Sequence, residues 1–105
     1  MEIVETSVFT RQIKKLLSDE EYAELQFRLV ISPLAGAIIR GSGGLRKLRW
    51  AAEGRGKSGG IRVIYYYVTA EYRIFMLAAY AKGAKEDLTD NEVAALRKLV
   101  REELS

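Results

Sequence analysis

The 105-residue chain contains no cysteine and no histidine. Without cysteine, disulfide bonds, thiolate zinc sites and thiol catalysis are excluded. Without histidine, the chain lacks the most common general base and metal ligand, and every catalytic triad that uses an imidazole is excluded. Any chemistry must therefore come from lysine, arginine, tyrosine, serine, threonine or carboxylate side chains, and the sequence predicts no cofactor.

The chain also lacks an apolar run that approaches the roughly 18 residues of a membrane span. Its first residues, Met-Glu-Ile-Val-Glu, carry acids where a signal peptide would carry positive charge. We therefore expect a soluble protein of the cytoplasm. The length and the 49% apolar content predict one folded domain over residues 1–105, which is large enough to bury roughly 65% of its unfolded surface.

Positive charge is concentrated in residues 40–62. This stretch holds seven cations and one acid, Glu53, for a net charge of +6, whereas the other residues sum to −3. The cations are Arg40, Arg46, Lys47, Arg49, Arg55, Lys57 and Arg62. Seven of the nine glycines lie in the same stretch, which predicts two loops around a short strand. A cationic surface on an otherwise mildly acidic chain indicates a polyanionic partner.

Hydrophobic periodicity predicts the order strand, two helices, three strands and a helix. Residues 2–6 are typical of an edge strand, and helical spacing begins at residue 7. A capping box at residues 18–21 opens a second helix that ends near Pro33. After a loop over 34–44, strands are predicted at 45–52, 61–68 and 72–81, and a second capping box at Thr89 opens a helix over about 90–103. Residues 73–79 are apolar on both faces, which predicts a central, covered strand.

Alternation along the strands separates the charged side chains by face. Lys47 and Arg49 share one face of their strand, whereas Arg46 lies on the other. Arg62 is in phase with Tyr66 on the next strand. If the helical hairpin covers one face of the sheet, Lys47, Arg49 and Arg62 converge on the opposite face. Tyr66 is then either a strand former or a platform on which a base stacks.

The glycine-rich stretch also has other interpretations. Residues 51–58 would be a P-loop if glycine stood at Ala51, but such a loop must open a helix, and this one leads into a β-rich run. The glycines alone also suit a long hairpin connection, and exposed strand cations discourage edge pairing. Arg55 and Lys57, interleaved with the glycines beside a cationic sheet face, instead favour phosphate contacts. Lys47, Arg49 and Arg62 repel one another with only one acid nearby, so solubility alone explains them poorly. Asp87 and Glu86 suggest a metal only weakly, and Asp87 is more simply explained as stabilising the N-terminus of the last helix.

Three motifs in order resemble the HigB-type branch of the RelE toxin superfamily. They are G-G-L-R-K-L-R at 43–49, G-x-G-K-x-G-G-x-R-x-I-Y-Y at 54–66 and Y-x-K-x-x-x-x-D-L-T at 80–89. The resemblance covers about residues 5 to 103. It implies an α+β fold with a mainly antiparallel four-stranded sheet, an N-terminal helical hairpin on one face and a C-terminal helix. It also implies the toxin of a toxin–antitoxin pair, an endoribonuclease that cleaves mRNA in the A site of the bacterial ribosome and is inhibited by a helix-turn-helix, HigA-like antitoxin.

The family's cleavage residues are basic groups on the sheet and on the adjoining loop. Carried over by motif, the resemblance implies catalytic roles for Arg49, Arg62, Lys82 and Lys57. At residues 81–84 this chain has Ala-Lys-Gly-Ala where relatives often have Gly-Lys-Asn-Glu, so the acid–base role of the family's glutamate has no counterpart here. The residues expected to bind RNA are Lys47, Arg46, Arg55, Tyr66 and Lys85.

Cleavage by the RNA's own 2′-hydroxyl requires two proton transfers and neutralisation of the phosphorane. The guanidinium fork matches phosphate geometry, so Arg49 and Arg62 are the candidates for binding the scissile phosphate. A like-charged neighbourhood favours a neutral amine, so Lys82 or Lys57 is the candidate general base or acid. Two other functions stay open at this point: a non-catalytic RNA- or ribosome-binding module, and an interaction protein whose basic face docks an acidic partner.

Overall fold

The computed structural model describes residues 1–51, 60–84 and 87–104. Helices α1 (Ser7–Leu16) and α2 (Asp19–Ile31) form the predicted N-terminal hairpin. The Ser18 side chain accepts a hydrogen bond from the Glu21 backbone, and the Glu21 side chain accepts one from the Ser18 backbone. The predicted capping box is thus confirmed, and it fixes where α2 begins.

Five strands form one sheet in the order β1-β5-β4-β3-β2. Their bounds are β1 (Glu2–Glu5), β2 (Ala37–Ile38), β3 (Arg46–Trp50), β4 (Ile61–Val68) and β5 (Arg73–Ala81). β1 pairs with β5 in parallel, and the other neighbours pair antiparallel. The expectation of four strands was wrong, because residues 37–38 pair with β3 instead of remaining a loop. Two residues are too few to show a strand period, so this pairing left no signal in the sequence.

The hairpin of β4 and β5 is antiparallel, as expected. A short 3₁₀ turn, Thr69–Glu71, joins the two strands, and Tyr72 after it takes a left-handed backbone with a φ of 55°. The pairing steps from Ile64 with Ala78 to Tyr65 with Met76, which leaves Leu77 as an extra, bulged residue in β5. Nearer the start of β4, Arg62 pairs with Tyr80. The hairpin therefore brings the start of β4 beside the end of β5.

The sheet is covered on both faces. On one face, α1 and α2 pack through Phe9 and Leu25, among others, onto the side chains of Val63 and Met76. On the other face, helix α3 (Asp90–Leu104) packs through Val100. β5 lies between β1 and β4 and contributes buried residues to both layers, as predicted for a central strand. Helix α3 covers only part of this face of the sheet. The uncovered part carries the cationic residues of β3 and β4. None of the helices within the described ranges is long and apolar enough to cross a lipid bilayer.

Candidate nucleic-acid interface

The predicted catalytic arginines lie directly opposite each other. Arg49 of β3 pairs with Arg62 of β4, and Arg62 pairs on its other side with Tyr80 of β5. Side chains directly opposite on antiparallel strands share a face, with Cβ atoms roughly 4.5–5.5 Å apart. Within the described residues neither arginine forms an ion pair. Two like charges held in this way destabilise a sheet, and an anion between them would relieve the repulsion.

Lys47 extends this cationic face by one row. It lies two residues before Arg49 on the same side of β3, roughly 7 Å along the strand. Its Nζ is 3.2 Å from Oδ1 of Asp87, in an ion pair that joins residues 40 positions apart. The pKa of Asp87 is lowered, first by the hydrogen bond from the Leu88 backbone and then by the Lys47 ammonium. An acid therefore stands inside the surface that the sequence analysis treated as purely cationic.

Asp87 was expected to stabilise the N-terminus of the last helix, and in the structure it also binds Lys47. The α3 N-terminus is closed by the predicted capping box, in which Glu92 N donates to Thr89 Oγ1 and Thr89 N donates to a Glu92 carboxylate oxygen. Asp87 precedes that box and holds Lys47 beside it. No group of three or more acidic side chains within the described ranges is arranged to hold a metal ion.

A cleft of about 640 Å³ opens beside these residues. Its volume lies within the roughly 300–1,000 Å³ of pockets that hold small ligands. The charged side chains that line it are Arg28, Arg40, Lys47, Arg49 and Asp87. Arg28 comes from α2 and Arg40 from the loop before β3, and neither was predicted as a site residue. Arg40 had a signal, because it opens the cationic stretch; Arg28 had none, since a single charge on an amphipathic helix is unremarkable.

Tyr80, which pairs with Arg62, was not among the predicted site residues. Its hydroxyl is buried and has no hydrogen-bond partner among the described residues. Burial raises the pKa of Tyr80, and Asp87 raises it further, whereas Arg62 lowers it. The phenol therefore stays protonated at neutral pH and is an unused hydrogen-bond donor beside Arg62.

Arg46 is not brought to this surface. It lies on the hairpin side of the sheet, where its Nη1 donates to the carbonyl oxygens of Gly36 at 2.7 Å and Leu34 at 3.3 Å. Its guanidinium is also close enough to Tyr65 to lower the pKa of that phenol, against the larger effect of burial, which raises it. The contacts of Arg46 are those of a side chain that holds a loop in place.

Tyr66 shares a face with Arg62 but lies apart from it. Four residues of extended strand separate the two, or roughly 13 Å. Tyr66 is half-buried and lines a small cavity of about 110 Å³ with Gly43, Arg97 and Val100. The α3 helix therefore forms one wall around the ring that was expected to stack on a base.

Lys82 stands at the end of β5, two residues after Tyr80. Its side chain is exposed, and its backbone N–H donates to Gly60 O at 3.1 Å, so it lies beside the start of β4 and near Arg62. The remaining predicted residues, Arg55, Lys57 and Lys85, lie outside the described residues. The structure thus brings Lys47, Arg49 and Arg62 together with Lys82 nearby, and it separates Arg46 and Tyr66 from them.

Comparison with known proteins gives two findings. A family model described as "RelE toxin of RelE / RelB toxin-antitoxin system" matches residues 1–105. A solved structure of a mutant E. coli toxin RelE in the free state is similar with a TM-score of 0.60, at 18% sequence identity, over 92% of this chain and 93% of that one. At that identity, the structural likeness speaks for the fold alone.

Proposed function

Because this chain belongs to the RelE toxin family, we propose that it is the toxin of a type II toxin–antitoxin system and a ribosome-dependent endoribonuclease. The substrate is mRNA in the ribosomal A site. On the three sequence motifs, we further propose that the protein belongs to the HigB-type branch. Its partner is then a HigA-like helix-turn-helix antitoxin, and residues 1–105 form one toxin domain.

The observation that carries the proposal is the pairing of Arg49 with Arg62 across neighbouring strands. Their like charges raise the free energy of the folded protein, and neither forms an ion pair with an acid of the described residues. A phosphate between two guanidinium groups removes this repulsion and accepts bidentate hydrogen bonds. The stabilisation increases as negative charge builds up on the phosphorane, so these contacts favour the transition state over the bound message.

The reaction that these residues support is metal-independent transesterification. The 2′-oxygen loses its proton and bonds to phosphorus, the bond to the 5′-oxygen breaks, and that oxygen takes up a proton. The products are a 2′,3′-cyclic phosphate and a 5′-hydroxyl. We assign the two proton transfers to Lys82 and Lys57, and the electrostatic stabilisation to Arg49 and Arg62.

The flanking cations position the message. Arg28, Arg40 and Lys47 line the cleft with Arg49 and are suited to phosphates beside the scissile one. Arg55 and Lys85 are proposed for the same role. Arg46 and Tyr66 are left out of the proposed site, because their described contacts are with the protein's own loops and helix.

Dependence on the ribosome follows from the same chemistry. Lysine is poorly matched to proton transfer at neutral pH, so the enzyme gains most from a message that is already held in the reactive geometry. The ribosome supplies that alignment, and free RNA is therefore expected to be cut slowly.

The test uses purified protein and ribosomes programmed with a defined message, in a buffer whose Mg²⁺ keeps the ribosome assembled. Cleavage with 5′-hydroxyl and cyclic phosphate ends is expected, and a matched message with a 2′-deoxynucleotide at the cut position is expected to stay intact. Cleavage of the deoxy message would contradict the mechanism. Ribosome binding with no cut product from either message would favour the alternative function, a non-catalytic RNA- or ribosome-binding module.

A further inference from the structure

Two small cavities continue the cleft along α3. The first has a volume of about 220 Å³ and is lined by Arg40, Asp90 and Arg97, among others. The second has a volume of about 110 Å³, and Arg97 and Arg101 are among its lining residues. Arg40 also lines the cleft, and Arg97 lines both small cavities, so each hollow adjoins the next. We refer to Arg40, Arg97 and Arg101 as the arginine track.

The positive charge of the arginine track is not neutralised by the protein. All three arginines are exposed, and none of them forms an ion pair within the described ranges. Asp90 is the only acid among the described residues that line the two small cavities. Arg97 and Arg101 lie one turn apart on α3, roughly 6 Å along its axis. Like charges at this spacing destabilise a helix, and a polyanion that lies across them relieves the repulsion.

The loop between β2 and β3 positions the central arginine of the track. A Cβ added at Gly43 would lie 2.8 Å from Nε and 3.0 Å from Nη2 of Arg97, so the guanidinium rests directly on the Gly43 backbone. The loop itself is fixed by the buried Ser42, whose hydroxyl donates to Ile39 O and accepts from Leu45 N. A guanidinium that is already placed against fixed backbone loses little conformational entropy when it binds a phosphate.

Building on the proposed function, we propose that the arginine track binds the message where the strand continues beyond the cleft. The scissile phosphate lies between Arg49 and Arg62. The strand then passes Arg40, and its next phosphates contact Arg97 and Arg101. The cleft and the track share Arg40, which favours one continuous strand over two separate ligands.

Contacts of this kind position RNA without reading its sequence, because phosphates are the same at every nucleotide. Once the cleft is filled, binding of the same strand to the track is intramolecular and adds affinity. The track therefore predicts that the protein binds a long RNA more tightly than a short one, and that this advantage depends on Arg97 and Arg101.

The test is the double variant Arg97→Gln/Arg101→Gln, which removes two charges and retains good helix formers in α3. Binding is measured by fluorescence anisotropy at several salt concentrations, with 2′-O-methylated RNAs of nine and of three nucleotides. Each lost phosphate contact lowers the slope of log affinity against log salt concentration by about 0.7, so the slope for the longer RNA should fall by about 1.4. Between 50 and 200 mM salt, the wild type then loses about sevenfold more affinity than the variant.

Three comparisons make this result specific. The trinucleotide occupies the cleft, where more cations lie, so the double variant should bind it as the wild type does. The control Arg11→Gln/Lys98→Gln removes the same charge from exposed positions that line none of the three hollows, and it should keep the wild-type slope. The variant Arg97→Lys/Arg101→Lys retains both charges and should also keep that slope.

An unchanged slope in the glutamine variant, or an equal loss for both lengths of RNA, would overturn the inference. A loss of slope in the lysine variant would reveal a structural role and overturn it as well. If the glutamine variant keeps its slope but binds ribosomes without a message more weakly, the arginines contact ribosomal RNA and the assignment to the message is wrong. Because these RNAs cannot be cut, the result does not depend on catalysis. A wild type that shows the expected slopes but leaves messages intact on the ribosome would contradict the proposed function and retain the track.

Discussion

Replacing Asp87 by Asn tests the electrostatics of the candidate site without removing a cation. The Lys47–Asp87 pair is exposed, with 25% and 67% of the two side chains accessible, so its loss is expected to change the free energy of unfolding by less than about 1 kcal/mol. Its effect on RNA is larger, because Lys47 becomes available to a phosphate. Each such contact with a single strand adds about 0.7 to the slope of log affinity against log salt concentration. Between 50 and 200 mM salt, the affinity of the variant should fall about 2.6-fold more than that of the wild type.

The assay is fluorescence anisotropy with a single-stranded RNA whose 2′-hydroxyls are methylated, so that it cannot be cut. Asp19→Asn is the matched control, since it removes the same charge from the first turn of α2, roughly 13 Å along the helix from Arg28. Asp87→Asn is expected to bind more tightly at low salt, with the steeper slope, and Asp19→Asn to follow the wild-type slope. Equal slopes for the two variants, or weaker binding by Asp87→Asn, would refute the role given to Lys47.

Three predictions concern stability and are checked by urea denaturation. Tyr22→Phe removes a 2.7 Å hydrogen bond to the Glu5 carboxylate and is expected to cost about 1.5–3 kcal/mol at neutral pH, and a cost near zero would contradict the importance of this bond. Burial and Glu5 raise the pKa of Tyr22 above its ordinary 10.0. The stabilisation that the protonated phenol gives the folded state is therefore complete below pH 10.0 and is lost as the pH rises through the raised pKa. The difference in stability between wild type and Tyr22→Phe should shrink in strong alkali. Tyr80→Phe removes a buried hydroxyl without a described partner and should leave stability unchanged or higher, so that a loss above 1 kcal/mol would reveal a partner. Gly36→Ala places a Cβ 2.8 Å from Tyr65 Cε1 and should cost about 1–3 kcal/mol, and unchanged stability would contradict the close packing of the loop on the ring.

The elements that sequence predicts well are those with local signals. The capping boxes at Ser18 and Thr89 are formed by residues three apart, so their sequence patterns contain the whole interaction. The apolar run of β5 likewise predicts a strand covered on both faces, wherever that strand lies in the sheet. Alternation also placed Lys47 and Arg49 on one face correctly, because the period of a strand does not depend on its neighbours.

The features that were missed depend on contacts between distant segments. The partner of Lys47 is 40 residues away, and no local pattern connects the two. Arg28 lines the cleft together with Ala37 and Ile38 of β2, and β2 is a strand of two residues that has no period of its own. The case of Arg46 is different. Alternation had already placed it on the hairpin face, but it was counted with the cations because charge density along a sequence ignores the direction of side chains.

The account depends most on Arg62 as a group that stabilises the reacting phosphate. The decisive measurement is the single-turnover rate of message cleavage on the ribosome by Arg62→Ala, with Arg11→Ala on the exposed side of α1 as control. Loss of one such charge donor is expected to lower the rate about 10²–10³-fold, while ribosome binding changes little and the control cleaves as the wild type does. A variant that cleaves at the wild-type rate, or that loses ribosome binding and cleavage in equal measure, would contradict the account.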